Sequence, residues 1–294
     1  MAFTIIINPV SGGARRADAR HRVELAAAIR DAHGNPAEVL VTERPGHGRE
    51  LAKAACARGA SMVFAWGGDG TINEIATELA FGDVPLGIVP AGSGNGLALE
   101  LGVDLNPARA ITHALSAKPR AIDLGELGGR LFVNIAGIGF DAHVASRFNR
   151  PGNVRRGFAR YVSISGRALL TYKAARYTIT TGSTRVDVGR GVLVTIANSP
   201  QFGNGARIAP GARVDDGLLD LVVVDERSRS RTLCGLPRLF NGTVERMRGC
   251  SIRRIREATI QSEQPMIFHV DGEPVEGNTE LRVRVHPGAL RIAV

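Results

Sequence analysis

Met62-Val63-Phe64-Ala65-Trp66-Gly67-Gly68-Asp69-Gly70-Thr71-Ile72-Asn73-Glu74 is the stretch of this chain whose reading decides the fold. Its first five residues form an unbroken apolar run, the mark of a strand buried on both faces. Glycines follow at once, and Ile72 to Ala80 then reads as a helix. Glycine at a strand end lets backbone N–H groups come close to a ligand. A helix N-terminus adds further free N–H groups and a positive dipole end. Together they make a phosphate cradle. Asp69 inside such a cradle would repel a bare phosphate, so a divalent cation is expected between them, directly or through water. Thr71 is placed to cap the helix and to donate to phosphate. The plainer alternative is a strand–helix turn with Asp69 as its cap, but three glycines around one aspartate weigh against it.

The same unit repeats on either side. Phe3 to Ile7, Glu38 to Thr42 and Leu86 to Val89 read as further strands, with helices over Arg15 to Ala32, Gly48 to Arg58 and from about Leu97. Strand–helix alternation implies a parallel sheet with helices on both faces. Ligands bind such sheets outside the carboxyl ends of the strands. Two more loops lie at that edge, Asn8-Pro9-Val10-Ser11-Gly12-Gly13 and Pro90-Ala91-Gly92-Ser93-Gly94-Asn95-Gly96. Their convergence is harder to explain as turn chemistry than any one loop alone.

Near Ala121-Ile122-Asp123-Leu124 the pattern changes. Beyond it Arg130–Ile135, Tyr177–Thr181, Gly191–Ala197, Leu218–Val224, Ser251–Ile260, Met266–Val270 and Leu281–Val285 read as strands of an antiparallel β-sandwich. Helical interruptions are expected over Asn153–Ala175 and near Arg229–Arg246. The expected domains are therefore 1–124, an α/β nucleotide-binding domain, and 125–294, an all-β domain whose last strand is able to return to the first.

Composition narrows the function. Apolar residues at 44% suffice for two cores, and the formal net charge of +9 favours anionic partners. Three cysteines without a metal or redox spacing read as reduced thiols of a cytoplasmic protein. The seven scattered histidines offer no zinc motif. The N-terminal apolar run lacks a basic start and is too short for a signal peptide, and no segment is long and apolar enough to cross a bilayer. Aromatic residues make up 5% of the chain, leaving few stacking platforms, and no nucleic-acid-binding signature is present. From Arg147 to Arg176, basic residues such as Arg155, Arg156, Arg160 and Arg167 alternate with Phe158, Tyr161, Leu169 and Leu170. A segment of that kind lies on an anionic membrane surface, or is a solvated face over the domain core.

The run from Gly67 to Glu74, with Asn8-Pro9-Val10-Ser11-Gly12 before it and Gly92-Ser93-Gly94-Asn95 after it, resembles the diacylglycerol kinase catalytic family, which includes sphingosine kinases and soluble bacterial lipid kinases. Asn134 to Asp141, Asp215-Asp216-Gly217 and Val270-Asp271-Gly272-Glu273 continue the resemblance in order and spacing over nearly the whole chain. It implies ATP bound in a cleft between an α/β domain and a β-sandwich, and a membrane lipid as acceptor. By the resemblance Asn8, Pro9, Val10, Ser11, Gly12, Thr42, Gly67, Gly68, Asp69, Gly70, Thr71, Ile72, Asn73 and Ser93 line the nucleotide site. Glu273 is the general base, and Asp69 and Asp123 belong to an aspartate–water–magnesium network. A structural magnesium ion is implied at the Asp-Asp-Gly turn, held by the Asp216 side chain and the carbonyls of Arg213 and Leu218. Where many diacylglycerol kinases carry Asp after the Asn of the second loop, this chain has Gly96, which is more like sphingosine kinases. Kinases for a soluble acceptor such as NAD share the Gly-Gly-Asp-Gly loop, and a non-catalytic nucleotide-binding regulator is the other alternative. Exposed β edges in the second domain make a homodimer plausible.

Overall fold

The computed structural model describes residues 3–13, 16–148, 172, 174–203, 205–225 and 237–294. The chain divides into two compact units, Met1–Ile122 with Gly288–Val294, and Asp123–Pro287.

In the first unit β1 (Thr4–Ile7), β2 (Glu38–Val41), β3 (Val63–Gly67) and β4 (Leu86–Pro90) lie parallel in the order β2-β1-β3-β4. β1, β3 and β4 are buried throughout, as strands covered on both faces must be. Alternation sends Phe3, Ile5, Ile7, Phe64, Trp66 and Val89 to one face, where they share a core with Ala26 of α1 (Arg16–Ala28) and Ile111 and Ala114 of α5 (Pro107–Ser116). On the other side α2 (His47–Ala57) and α3 (Asp69–Leu79) pack on each other and against the sheet. The short α4 (Gly96–Glu100) ends before Gly102, whose φ of 72° stops the helix. Asn106 then caps α5 by accepting from the Arg109 N–H, with Pro107 in the first turn. The sequence reading places a helix from about Leu97 and gives no separate α5.

The second unit is an antiparallel β-sandwich. Its strands are β6 (Arg130–Phe132), β7 (Ile135–Gly139), β8 (Ala175–Thr181), β9 (Thr184–Ala197), β10 (Leu219–Asp225), β11 (Cys250–Ile255), β12 (Glu257–Ser262), β13 (Ile267–Val270) and β14 (Glu273–Glu276), with most of β5 (Arg120–Leu127) and of β15 (Glu280–Ala293). The main path runs β14-β13-β7-β9-β8-β12-β15, while β10 joins β9 to β11, and β5 pairs with β6 and β15. Inward residues such as Phe132, Ile138, Val194, Ile196, Leu221, Ile260, Phe268 and Val283 fill its core. One helix, α6 (Phe140–Phe148), follows β7 directly.

β15 shows both environments in one strand. Leu281, Val283 and Val285 alternate with exposed residues, and after Pro287-Gly288 the residues Leu290, Ile292 and Ala293 are all buried. Ile292 and Ala293 pair in parallel with Leu86 and Gly87. Arg130–Ile135 and Ser251–Ile260, each expected as one strand, are each two. The helix expected over Asn153–Ala175, and with it most of the basic Arg147–Arg176 stretch, lies outside the described residues. Of the helix expected near Arg229–Arg246, the described part shows only single turns at Pro237–Phe240 and Val244–Arg246.

Candidate active site

The candidate residues of the first unit sit at the carboxyl ends of β1, β3 and β4, where the three loops interlock. Asn8 Nδ2 donates to Thr71 Oγ1 at 2.9 Å, tying the first loop to α3. Gly12 has a φ of 68°, and a Cβ there would stand 2.5 Å from the Ala91 carbonyl oxygen, so only glycine fits. Gly68 and Gly92 face each other: a Cβ on Gly92 would lie 2.6 Å from the Gly68 Cα. Asp69 bridges the two, accepting from the Asn95 N–H at 3.0 Å and the Gly96 N–H at 2.9 Å. Asn95, itself left-handed at φ 50°, closes its loop on both the N–H and the carbonyl of Gly92.

Two expectations change. α3 begins at Asp69 with Gly68 as its N-cap and no side-chain cap, so Thr71 lies inside the helix and its hydroxyl takes the Asn8 amide instead of capping. Asp69 is first a brace between loops. Ser11 is buried and donates to the Asn8 carbonyl, so its hydroxyl shapes the loop. Val10 and Ser93 are exposed, Pro9 and Gly70 are half-buried, and Ile72 and Asn73 are buried along α3. Thr42 follows β2, with its N–H on the Ile7 carbonyl.

Sequence reasoning missed Arg22. From α1 it donates to the Asn8 carbonyl at 3.1 Å and to Ser11 Oγ at 2.9 Å. Burial draws its pKa down, and the nearby Asp18 charge opposes this. A guanidinium remains charged after any such shift, so the first loop carries a fixed positive charge behind it.

In the second unit Glu273 opens β14, directly after a two-residue turn. Val270 pairs with Glu273, and the intervening Asp271 and Gly272 have φ values of 47° and 87°. That is a type I′ hairpin, for which Asp-Gly is a preferred sequence. The Asp271 carboxylate accepts three backbone N–H groups, from Val133 at 2.8 Å and from Asn134 and Ile135 at 2.9 Å each. The Asp271 N–H in turn donates to the Ile135 carbonyl. The hairpin that carries Glu273 is therefore clamped to the loop before β7. Behind that loop is a buried polar layer: Asn198 Nδ2 donates to the carbonyls of Asp123 and Val133, Asn134 Nδ2 to that of Gln201, and Ser199 Oγ to Asn134 Oδ1.

Asp123 is buried. Its carboxylate accepts the Gly217 N–H at 2.7 Å, and its own N–H donates to the Val214 carbonyl, fixing the Asp-Asp-Gly turn. That turn leads from a loop into β10, so it is not the hairpin its sequence suggests. Asp216 Oδ1 accepts from the Leu218 N–H, while Oδ2 lies 3.3 Å from the Arg254 guanidinium. Arg213 reaches Asp215 with its side chain at 3.4 Å. Arg254 pairs in register with Asp220. Burial raises the Asp220 pKa, Arg254 pulls it back, and Asp216 adds to the rise. Arg254 and Arg213 thus both place positive charge beside the carboxylates of this turn.

An α/β unit with interlocked glycine loops, joined to an antiparallel sandwich, defines a class that sequence comparison identifies. Residues 2–127 match the diacylglycerol kinase catalytic domain, and residues 134–294 match the YegS C-terminal NAD kinase beta sandwich-like domain. The chain belongs to the diacylglycerol kinase catalytic-domain family. It is 32% identical over 280 residues to a protein of Pseudomonas fluorescens named "Probable lipid kinase YegS-like", covering 92% of this chain and 89% of that one. It is 31% identical over 278 residues to a protein of Mycobacterium tuberculosis named "Diacylglycerol kinase", covering 92% and 88%. A solved diacylglycerol kinase structure from Bacillus anthracis str. Sterne superposes with a TM-score of 0.73 over 99% of this chain and 96% of its own, at 20% identity, which shows the shared fold.

Proposed function

We infer that this chain is an ATP-dependent lipid kinase that transfers the γ-phosphoryl group to a hydroxyl of a membrane lipid of the diacylglycerol or sphingoid type. The observation that carries the reading is the interlocking of three glycine loops at one edge of a parallel sheet, with a helix N-terminus and Arg22 behind them. Phosphoryl transfer is mostly positioning and charge stabilisation, and this edge supplies both. Family membership supports ATP as donor. Glu273 is the group of the right type to take the proton from the acceptor hydroxyl, whose oxygen then bonds to the γ-phosphorus as the bond to the β,γ-bridging oxygen breaks and ADP leaves. A magnesium ion on the nucleotide would neutralise phosphate charge, and Asp69, a carboxylate at the N-terminus of α3, is of the type to meet it through water.

No helix among the described residues is long and apolar enough to cross a membrane. The acceptor is therefore proposed to be met at an anionic bilayer surface through the basic Arg147–Arg176 stretch. The test is transfer of label from ATP to mixed micelles of diacylglycerol, a sphingoid base or total bacterial lipid, beside NAD. Labelled lipid that disappears in Asp69→Ala supports the reading. Label on NAD alone, or on nothing while ATP still binds, overturns it.

A further inference from the structure

Behind the Glu273 hairpin lies a buried carboxylate–imidazole pair that the phosphoryl-transfer chemistry does not use. On one face of the sandwich three neighbouring strands bring His269, Gly137 and Thr195 side by side, by the pairing of β13 with β7 and of β7 with β9. The middle residue has no side chain, and the carboxylate of Asp141, from the first turn of α6, fills its place. A Cβ on Gly137 would stand 1.9 Å from Asp141 Oδ2 and 2.9 Å from His269 Nε2. Asp141 Oδ2 lies 3.2 Å from His269 Nε2 and accepts from Thr195 Oγ1 at 3.2 Å, while Oδ1 accepts the Ala142 N–H at 2.8 Å. Asp141 and His269 are both about 5% exposed.

The other ring nitrogen faces the hairpin. The Gly272 N–H donates to His269 Nδ1 at 3.3 Å. A carboxylate on Nε2 and an amide N–H on Nδ1 together fix the tautomer, with the proton on Nε2 and a lone pair on Nδ1. The chain of contacts runs from Asp141 through the imidazole to the backbone of the residue just before Glu273.

We propose that His269, held by Asp141 in the recess over Gly137, is a positioning residue that orients the Asp271-Gly272 turn and thereby the carboxylate of Glu273. Asp271 clamps one side of the turn to residues 133–135, and His269 holds the other side at Gly272. The inference rests on Glu273 being the base of the proposed reaction. A displacement of about 1 Å at a reacting group costs on the order of a hundredfold in rate, so a second anchor on a two-residue turn matters for turnover.

Two isosteric variants separate its two bonds. His269→Asn places a carbonyl oxygen where Nδ1 was and keeps the acceptor for Gly272. His269→Gln places an amide nitrogen where Nε2 was and keeps the donor to Asp141 but loses that acceptor. The expected result is a kcat close to the parent's for His269→Asn and about ten- to a hundredfold lower for His269→Gln, with nucleotide KM unchanged in both. Thermal unfolding should follow the opposite order, because His269→Asn leaves Asp141 short of a partner. A purely structural role would make kcat follow stability, and that result overturns the proposal. The second readout needs no turnover: nitrogen-15 spectra of the parent labelled at histidine should show His269 protonated on Nε2 and bare on Nδ1. A proton on Nδ1 would overturn it as well. If Glu273→Gln keeps full activity, the base assignment fails instead. If Glu273→Gln is inactive while His269→Gln keeps the parent kcat, this inference alone fails.

Discussion

Removing the Asp271 carboxylate should loosen the second unit in steps that its geometry sets. One oxygen, Oδ1, accepts from both Asn134 and Ile135, and Oδ2 accepts from Val133 alone. Hydrogen bonds to a charged acceptor are worth about 1.5–3 kcal/mol each, and water recovers part of that at a half-buried group. Asp271→Asn keeps the doubly used oxygen and tolerates the left-handed turn, so its cost is one bond, about 1–2 kcal/mol. Asp271→Ala loses all three, and because alanine lacks the short polar side chain that lets Asp and Asn occupy φ 47°, roughly 1 kcal/mol is added. Its total is about 4–7 kcal/mol. For a unit of this size each 1 kcal/mol moves Tm by about 2–4 °C, so the alanine variant should fall by about 10 °C or more and the asparagine variant by a few degrees. Calorimetry would read both. Equal losses for the two variants, or an alanine variant within a degree of the parent, would refute the clamp.

Other residues give sharper local tests. Asp69→Ala should weaken nucleotide binding as measured by calorimetric titration, because Asn95 and Gly96 lose their shared acceptor, while unfolding of the second unit stays put. Gly12→Ala should also weaken nucleotide binding, since its Cβ meets the Ala91 carbonyl in a left-handed residue; an unchanged dissociation constant would count against the cradle. Arg254→Gln should lower Tm at neutral pH and less so in acid. The Asp220 carboxyl is held above its unfolded pKa by burial, so its ionisation costs stability as pH rises, and removing Arg254 enlarges that cost. A loss independent of pH between acid and neutral would contradict the pairing.

The α/β half was legible because β1, β3 and β4 are buried on both faces and read as continuous apolar runs, as at Val63–Gly67. The sandwich was legible only in outline. Ser251–Ile260 contains no glycine or proline to mark the break at Arg256, so it reads as one strand where there are two. Pro287-Gly288 looks like a terminator, yet β15 continues through it. The apolar cluster Ala289-Leu290 with Ile292-Ala293 was the available sign of a second burial environment.

Site residues were legible by type and less so by role. Asp69 and Thr71 were recognisable as loop residues, but hydrogen bonds to Asn95, Gly96 and Asn8 arise between segments distant in sequence. Asp271 stood inside a recognised motif, and its Asp-Gly step marked a hairpin. Its grip on residues 133–135 is a contact across about 137 positions that no local pattern encodes. Arg254 lies in an ordinary arginine pair on β11, and only the register with Asp220 reveals that it stands beside the Asp-Asp-Gly turn.

The most direct test of the account is single-turnover transfer from labelled ATP to diacylglycerol and sphingoid micelles by the parent and by Glu273→Gln, with ATP binding measured on both. The account predicts equal ATP binding and labelled lipid from the parent alone. Labelled lipid formed at the parent rate by Glu273→Gln would contradict it.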